Sequence, residues 1–316
     1  MQKTVLSNEL LTTSYIKQAG ECTLSKLVAD TTLFPLQPHI ARSQKMVAET
    51  QEFDAQAWIK TRASLDPTQS TFLVWKGAIY AFIPGEKKKL LFEMLGMSVS
   101  RCIPTEEGSW DFTSRELTYY LDPKTSEIVQ KWENPWTGEK VPVMHVANNP
   151  VQGQFKGKFP AQVDGDITTF VFDIFPTYPN PLADDPKFAE YCPNPTYQAA
   201  ELFKITVPTA DLLNSELPSV SQLRLSWDRI GQWLPWMKMG AREGHLIYSA
   251  YGSKVDGLSE LPQLLQDEIN TRVPLYRKAP KSFIEGEDMT SWLYFQHNYE
   301  AYLAGETFPL PAGEEL

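Results

Sequence analysis

The sequence has few cysteines, no long apolar run and no excess of basic residues, and each of these deficits excludes a class of protein. The three cysteines, Cys22, Cys102 and Cys192, form no CxxC pair, which argues against a disulfide framework or a cysteine-rich zinc site. A membrane-spanning helix needs about 18 consecutive apolar residues, and the sequence has no such run. The N-terminus also lacks the apolar core of a signal peptide. We therefore expect a reducing, cytoplasmic setting.

Charge and motif content narrow the choice of partners and cofactors. Lys and Arg number 29 against 39 Asp and Glu, a net charge of −10, which opposes binding to nucleic acid or to an anionic membrane. The sequence contains no GxGxxG, GxxxxGK[ST], GxSxG or HExxH motif and no EF-hand loop, which argues against the common nucleotide, hydrolase and metal sites. We expect no cofactor.

Histidine is also scarce, with four residues in the chain. His145 and His245 fall in predicted strands, so one interior could hold both of them together with Glu116 or Asp228 as a metal site. The alternative is that both are hydrogen-bonded structural histidines. The sequence therefore predicts no metal, with this small site as the competing hypothesis.

Short runs of β-branched and aromatic residues recur from about residue 62, separated by Pro, Gly, Asn or Asp. They predict about nine strands, at 72–83, 90–103, 115–121, 127–133, 141–147, 168–175, 200–207, 222–233 and 245–251. Hairpin-like spacing favours an antiparallel sheet over alternating strands and helices. Several strands are apolar on both faces, which predicts a mainly β fold, a large antiparallel barrel or strongly curled sheet with C-terminal helices. A thick sandwich is the alternative.

The domain prediction has two parts. Residues 1–51 are weakly patterned and are interpreted as an N-terminal arm, partly helical or extended, that packs on the body or on another subunit. Residues 52–316 form the barrel-like domain. Ser259 is the expected cap of one closing helix, and Asp288 or Thr290 is the expected cap of another.

Two groups of polar residues are candidates for catalysis. Arg115 and Glu116 are consecutive in a strand and must point to opposite faces; Arg115 could orient an anionic group and Glu116 could act as general acid or base, or the two could form an edge salt bridge. His145 precedes Asn148 by three residues, an imidazole and an amide that could move a proton near neutral pH. The alternative is a core histidine beside an Asn-Asn-Pro turn.

The block WENPWTGE at 132–139 is dense in rare residues. Trp132 and Trp136 could clamp a flat ligand while Asn134 supplies an amide. The same residues could instead form a tight turn whose rings close the core.

A second aromatic block runs from Trp227 to Gly240. Trp227 and Trp236 would give an apolar or aromatic ligand a large polarisable surface, with His245 and Tyr248 on the next strand. Asp228 would then be an acid in an apolar pocket with a raised pKa. An ordinary core accounts for the same pattern.

At these residues the chain resembles a large bacterial and fungal family catalogued only as a domain of unknown function. The resemblance covers roughly residues 52–305 and carries no activity with it. Its most specific parts are the blocks Trp132-x-Asn134-Pro135-Trp136-Thr137-Gly138 and Trp236-Met237-Lys238-Met239-Gly240.

The sequence thus supports two hypotheses about function. In the first, the barrel binds a medium-sized apolar or aromatic small molecule, either as a binding protein or as a cofactor-independent isomerase, cyclase or hydrolase. In the second, the protein is a structural or assembly factor without catalytic activity, associating as a homo-oligomer through its N-terminal arm and an apolar outer sheet face.

Overall fold

The computed structural model describes residues 49–286 and 288–314. The predicted arm at 1–51 lies outside these residues except for its last three. The strands in the described part are β1 (Glu49–Asp54), β2 (Thr71–Phe82), β3 (Lys89–Pro104), β4 (Trp110–Leu121), β5 (Lys131–Glu133), β6 (Lys140–Pro142), β7 (Val146–Phe155), β8 (Lys158–Asp164), β9 (Ile167–Ile174), β10 (Thr177–Pro179), β11 (Thr196–Pro208), β12 (Arg224–Gly231) and β13 (His245–Val255). The α-helices there are α1 (Ala55–Arg62), α2 (Thr209–Leu213), α3 (Gln263–Thr271), α4 (Ser291–His297) and α5 (Tyr299–Leu303).

One antiparallel sheet dominates the fold. Ten strands follow one another in the order β1-β8-β9-β11-β12-β13-β2-β3-β4-β7, β10 adds to β11, and β5 and β6 form a separate hairpin. The ten-stranded sheet curls through 231° into a half-barrel, and 43% of residues are in strands. The prediction of a mainly β, strongly curled antiparallel sheet with a few C-terminal helices is confirmed.

Three predicted strands are wrong in their limits: the run at 127–133 is a strand only at Lys131–Glu133, the run at 115–121 begins earlier, at Trp110, and a third is divided. The run at 141–147 is divided between β6 and β7, and the Asn148-Asn149-Pro150 turn expected to end it lies inside β7. β7 is an edge strand, and its register against β4 shifts between Ser114 and Glu116. Proline, which has no N–H to donate, is tolerated at such edges and bulges.

The concave side of the sheet is identified by Trp58 on α1. Its ring lies 5.9 Å from that of Phe155 on β7 and 5.2 Å from that of Phe170 on β9, measured between centroids. These strands lie near opposite ends of the sheet order. Only the inside of a curled sheet brings such strands to one side chain, so α1 packs within the half-barrel.

Two apolar clusters fill the two ends of this concave side. The α1 cluster includes Trp58, Phe112, Phe170, Ile205 and Leu225. The tryptophan cluster is larger and draws on the β5–β6 hairpin, the turn at Pro235–Met237 and α4; its members include Trp132, Trp236, Phe92, Tyr120, Ala199 and Trp292.

Helix α3 covers the convex side, where Leu265 and Ile269 pack on Met97 and Leu117. Ser259 is not its cap: it lies in a separate 3-10 turn, and α3 begins only after Pro262, whose fixed φ suits the start of a helix. The other predicted cap is Thr290, which accepts a hydrogen bond from the Leu293 N–H at 3.2 Å. Among the helices of the described ranges, none is both long and apolar enough to cross a membrane.

Candidate functional site

Between the two clusters, the strands present a middle section of the concave face, here called the central band. Along β4, Phe112 belongs to the α1 cluster and Tyr120 to the tryptophan cluster, with Glu116 between them. Along β11, Ile205 and Ala199 belong to the same two clusters, with Phe203 and Glu201 between them. The central band consists of Trp75, Glu116, Thr118, Asn148, Phe172, Glu201, Phe203, Trp227 and Arg229. Most of these side chains are only half-buried, so a ligand can reach them.

The carboxyl of Glu116 lies in the central band and has a shifted pKa. Burial raises the pKa of its carboxyl to about 7, against an opposing attraction from the Arg62 guanidinium at the end of α1. Asn148, directly opposite on β7, is hydrogen-bonded to this carboxyl. A carboxyl with a pKa near neutrality can both give and take a proton at physiological pH.

Two buried polar atoms of the central band have no hydrogen-bond partner in the described part of the chain: Trp75 Nε1, a donor, and Asn148 Oδ1, an acceptor. Buried polar atoms are normally paired, so these two unpaired atoms are unusual. Gly96 leaves room for the indole, because a Cβ there would lie 2.4 Å from Trp75 Nε1 and from Thr118 Oγ1.

The part of the central band on β9, β11 and β12, away from Glu116 on β4, is aromatic and charged. Phe172 stacks on Phe203 with centroids 4.8 Å apart, and Phe203 stacks on Trp227 at 6.3 Å. Glu201 accepts a hydrogen bond from Trp227 Nε1 at 3.2 Å and lies 3.5 Å from Arg229 Nε. The arrangement suits a flat, apolar molecule with a polar group at one edge.

Four of the residues singled out from the sequence occupy or adjoin this region. Glu116, Asn148 and Trp227 are in the central band. Tyr248 borders it, because its ring lies under the Arg229 guanidinium at 4.9 Å and its hydroxyl is hydrogen-bonded to that of Tyr120.

Three other predicted site residues, Asp228, His245 and Arg115, lie on the convex face. Asp228 alternates with Trp227 and Arg229 along β12, so it points away from the interior expected for it. His245 is exposed at the start of β13, on the same side. His145 and His245 therefore do not share an interior, and the small metal site with Glu116 or Asp228 is not formed.

Arg115 is also on the convex side, opposite Val99, and is only 1% exposed. Its guanidinium donates to Asn149 Oδ1 at 2.9 Å and to the carbonyl oxygens of Leu275 and Lys278. The backbone alternation thus separates Arg115 from Glu116, and neither an edge salt bridge nor a shared active site unites them.

The first tryptophan block is part of the tryptophan cluster. Asn134 is fully buried; it donates to the Met237 carbonyl oxygen at 2.9 Å and accepts from the Trp136 and Thr137 N–H groups. Trp132 is buried next to Trp236, with centroids 6.0 Å apart. Trp136 lies at the edge of the cluster and donates to Glu86 Oε2 at 3.1 Å.

His145 is 1% exposed and lies between the rings of Tyr119 and Tyr120. Its Nδ1 accepts a hydrogen bond from the Tyr120 N–H at 3.1 Å, and burial lowers the pKa of its imidazole to about 3. A neutral, enclosed imidazole of this kind matches the core-histidine alternative better than the proton-transfer one.

Sequence reasoning missed the other six residues of the central band: Trp75, Thr118, Phe172, Glu201, Phe203 and Arg229. The available signal was strand alternation: once Trp227 faces inward, Arg229 must do so as well. For the metal prediction, the described ranges hold no cluster of three His, Cys, Asp or Glu residues arranged as ligands, and the expected absence of a cofactor stays a prediction.

Comparison with known proteins gives a family without an activity. Residues 68–299 match the model of a family described as "Protein of unknown function (DUF1838)", which confirms the resemblance to an uncharacterised family. No curated protein matches the chain. The crystal structure of Rv2717c from M. tuberculosis is similar over 56% of this chain and 89% of its own, at 10% identity. Its TM-score of 0.18 is too low to support an argument about fold or function.

Proposed function

We propose that this chain, which belongs to the DUF1838 family of proteins of unknown function, binds a small aromatic or largely apolar molecule on the central band and exchanges a proton with it through Glu116. The observation that carries the proposal is the position of Glu116. It is a partly buried carboxyl with a pKa raised to about 7, facing an aromatic wall across the concave side of the sheet. Titratable groups perturbed in this way cluster at functional sites.

The surrounding groups give each part of the reaction a candidate residue. The stacked rings of Phe172, Phe203 and Trp227 hold a flat apolar body by area and by ring contacts. Trp75 Nε1 and Asn148 Oδ1 offer one donor and one acceptor to its polar edge. Protonated Glu116 can give its proton to a carbonyl or leaving-group oxygen, and ionised Glu116 can take one from an activated carbon or a water molecule. The chemistry that fits is isomerisation, cyclisation or hydrolysis without a cofactor.

We also propose the cytoplasm as its setting. Cys102 and Cys192 are both buried free thiols, which is the usual state of cysteines in a reducing compartment. The proposed proton transfer needs only the side chains named above, so it makes no demand on a redox partner.

A binding titration tests the proposal. The probe is the neutral fluorophore N-phenyl-1-naphthylamine, which reports transfer into an apolar site. We expect saturable 1:1 binding, weakened about tenfold or more by Phe203→Ala, since that change removes one wall of stacked rings. Leu202→Ala is the matched control, because Leu202 is the next residue on β11 and points to the convex side; it should change the affinity by less than about twofold.

Glu116→Gln separates binding from proton transfer, because the amide keeps the shape and the hydrogen bond to Asn148. We expect the variant to bind the probe as wild type does but to lack the infrared band of a protonated carboxyl that disappears near pH 7 in wild type. If Phe203→Ala and Leu202→Ala weakened probe binding equally, binding would not depend on the concave face, and the proposal would be refuted. The absence of saturable binding would refute it as well.

A second candidate function is self-association, which the exposed apolar side chains of the convex face favour. Val171, Leu202 and Ile230 are 51%, 44% and 45% exposed, and they are diagonal neighbours across β9, β11 and β12. Exposed apolar side chains that lie near one another on a sheet face are typical of surfaces that pair with another protein, here a second copy of the chain. Sedimentation velocity tests this role: a wild-type dimer that Leu202→Glu converts to monomer supports it, and a wild-type monomer at all concentrations contradicts it.

A further inference from the structure

A groove of about 680 Å³ crosses the convex face of β11, β12, β13, β2 and β3 and reaches Pro262, just before α3. We propose that this groove binds a free long-chain carboxylate, with its head group on β11 and β12 and its alkyl chain toward β3. The groove lies on the other face of the sheet from the central band, so neither proposal depends on the other.

The strand register gives the groove its shape and length. Directly paired residues of an antiparallel sheet lie on the same face, and most of the lining falls into two adjacent rows of such partners. One row consists of Lys204, Ser226, Tyr251, Lys76 and Leu95. The other consists of Thr206, Arg224, Ser253 and Val74. The two serines are the smallest side chains of these rows and leave a depression between their neighbours. The first row crosses five strands, about 19 Å at the usual spacing of neighbouring strands, which suits an extended molecule better than a compact ion.

The end of the groove on β11 and β12 is cationic. Lys204 and Arg224 line it, and within the described ranges neither side chain forms an ion pair or a hydrogen bond. Thr206 and Ser226 add hydroxyl groups beside them. No Asp or Glu lines the groove in the part of the chain that the structure describes; Asp228 shares this face but lies two positions farther along β12 than Ser226. A carboxylate head group would accept charge-assisted hydrogen bonds from both cations.

The end of the groove on β2 and β3 is apolar. Val74 and Leu95 are half-buried there, beside the cluster under α3, and Pro262 adjoins them. Lys76 lies between the two ends, and its ammonium group is directed at Tyr251, with Nζ 5.3 Å from the centre of that ring. The methylene groups of a lysine held in this way extend an apolar surface. Cations at one end and apolar side chains at the other match a molecule with one anionic head and one alkyl chain.

The size of the groove and the charge of the chain favour a free molecule over a membrane surface. The volume is within the range of small-molecule sites, so it accommodates a single alkyl chain. The whole chain carries a net charge of −10, which opposes approach to an anionic bilayer. A single carboxylate amphiphile meets the two cations without that long-range repulsion from a charged surface.

Isothermal titration of the full chain tests the proposal, at constant ionic strength and below the concentration at which the probe forms micelles. The probes are hexanoate and laurate, which share a head group and differ in chain length. We expect laurate to bind 1:1 and at least about tenfold more tightly than hexanoate, because each additional buried methylene group adds to the affinity. Co-sedimentation with phosphatidylglycerol vesicles is the parallel measurement. Binding to the vesicles without binding to laurate would favour a membrane surface and overturn the proposal.

Variants of the two cations locate the head group. Lys204→Gln and Arg224→Gln should each weaken laurate binding by about threefold, and the double variant by about tenfold, since each removes one exposed charge contact. Both residues are exposed, so we expect the variants to fold. Lys131→Gln is the matched control, because it removes the same charge from the β5–β6 hairpin, outside the groove, and it should leave the affinity unchanged.

Three results would overturn the proposal. An equal loss in Lys131→Gln would reduce the binding to overall charge. Weakening by Phe203→Ala but not by Lys204→Gln would place laurate on the central band instead. Hexanoate binding as tightly as laurate would show that the apolar end of the groove is not used.

Discussion

Replacing Glu116 by Gln should change how the free energy of unfolding depends on pH. Burial raises the pKa of this carboxyl from its ordinary value of 4.5 to about 7 in the folded protein. The folded state therefore binds the proton more tightly than the unfolded state does. The stability associated with this group is fully present below about pH 4.5 and is lost as the pH rises through about 7. A gap of about 2.5 pH units corresponds to about 3 kcal/mol.

The amide of Glu116→Gln does not titrate, so the variant should escape this loss. Urea unfolding at about pH 5 and about pH 8 measures the effect, and the quantity of interest is the variant's free energy of unfolding minus that of wild type. We expect this difference to grow by about 2–3 kcal/mol in favour of the variant between the two pH values. Glu107→Gln, in the exposed turn between β3 and β4, is the matched control, because it makes the same substitution outside the central band. A difference that stays constant for Glu116→Gln would show that the carboxyl is ionised in the fold at both pH values and would refute the acid/base argument.

Two further substitutions test the packing around the central band. Asn134→Ala should lower the free energy of unfolding by about 2–4 kcal/mol, because it leaves the Met237 carbonyl and the Trp136 N–H without their hydrogen-bond partner in a buried turn. Thr137 is exposed in the same turn, and Thr137→Ala should lower the free energy of unfolding by less than about 0.5 kcal/mol in the same urea titration. Gly96→Ala should cost about 1–3 kcal/mol, because its Cβ would lie 2.4 Å from the Trp75 indole, while Gly153→Ala, whose Cβ meets nothing within 4 Å, should be close to neutral. Equal effects within either pair would contradict the contacts described.

The sheet was predictable because its signals are local. Runs such as Phe72–Ile83 and Thr168–Phe175 correspond to β2 and β9 within a residue or so at each end, since turn residues punctuate the chain wherever a strand stops. β7 was mispredicted because its Asn-Asn-Pro sequence has the composition of a turn, and only the pairing with β4 makes it a strand. Local composition cannot reveal a partner that lies about 35 residues away.

The site was harder to predict because it depends on which face each residue occupies. Rare residues attracted attention, yet Trp132, Asn134 and Trp236 build the core of one end. Asp228 was chosen over its neighbour Arg229, although one position along a strand reverses the direction of the side chain. The correct choice needed the curl of the sheet, which decides that the Trp227 face is the inside. Glu116 needed the same information, because only the structure places Arg115 on the other side.

The tryptophan blocks that carry the family resemblance nevertheless bear on the central band through a chain of contacts. Asn134 ties the first block to Met237 in the second, which fixes the turn containing Trp236. Trp236 packs on Tyr120 with centroids 5.8 Å apart, and the Tyr120 hydroxyl is hydrogen-bonded to that of Tyr248. Tyr248 in turn lies under Arg229. Since packed interiors transmit small displacements, the two blocks hold the Arg229 edge of the central band in place although they lie away from Glu116.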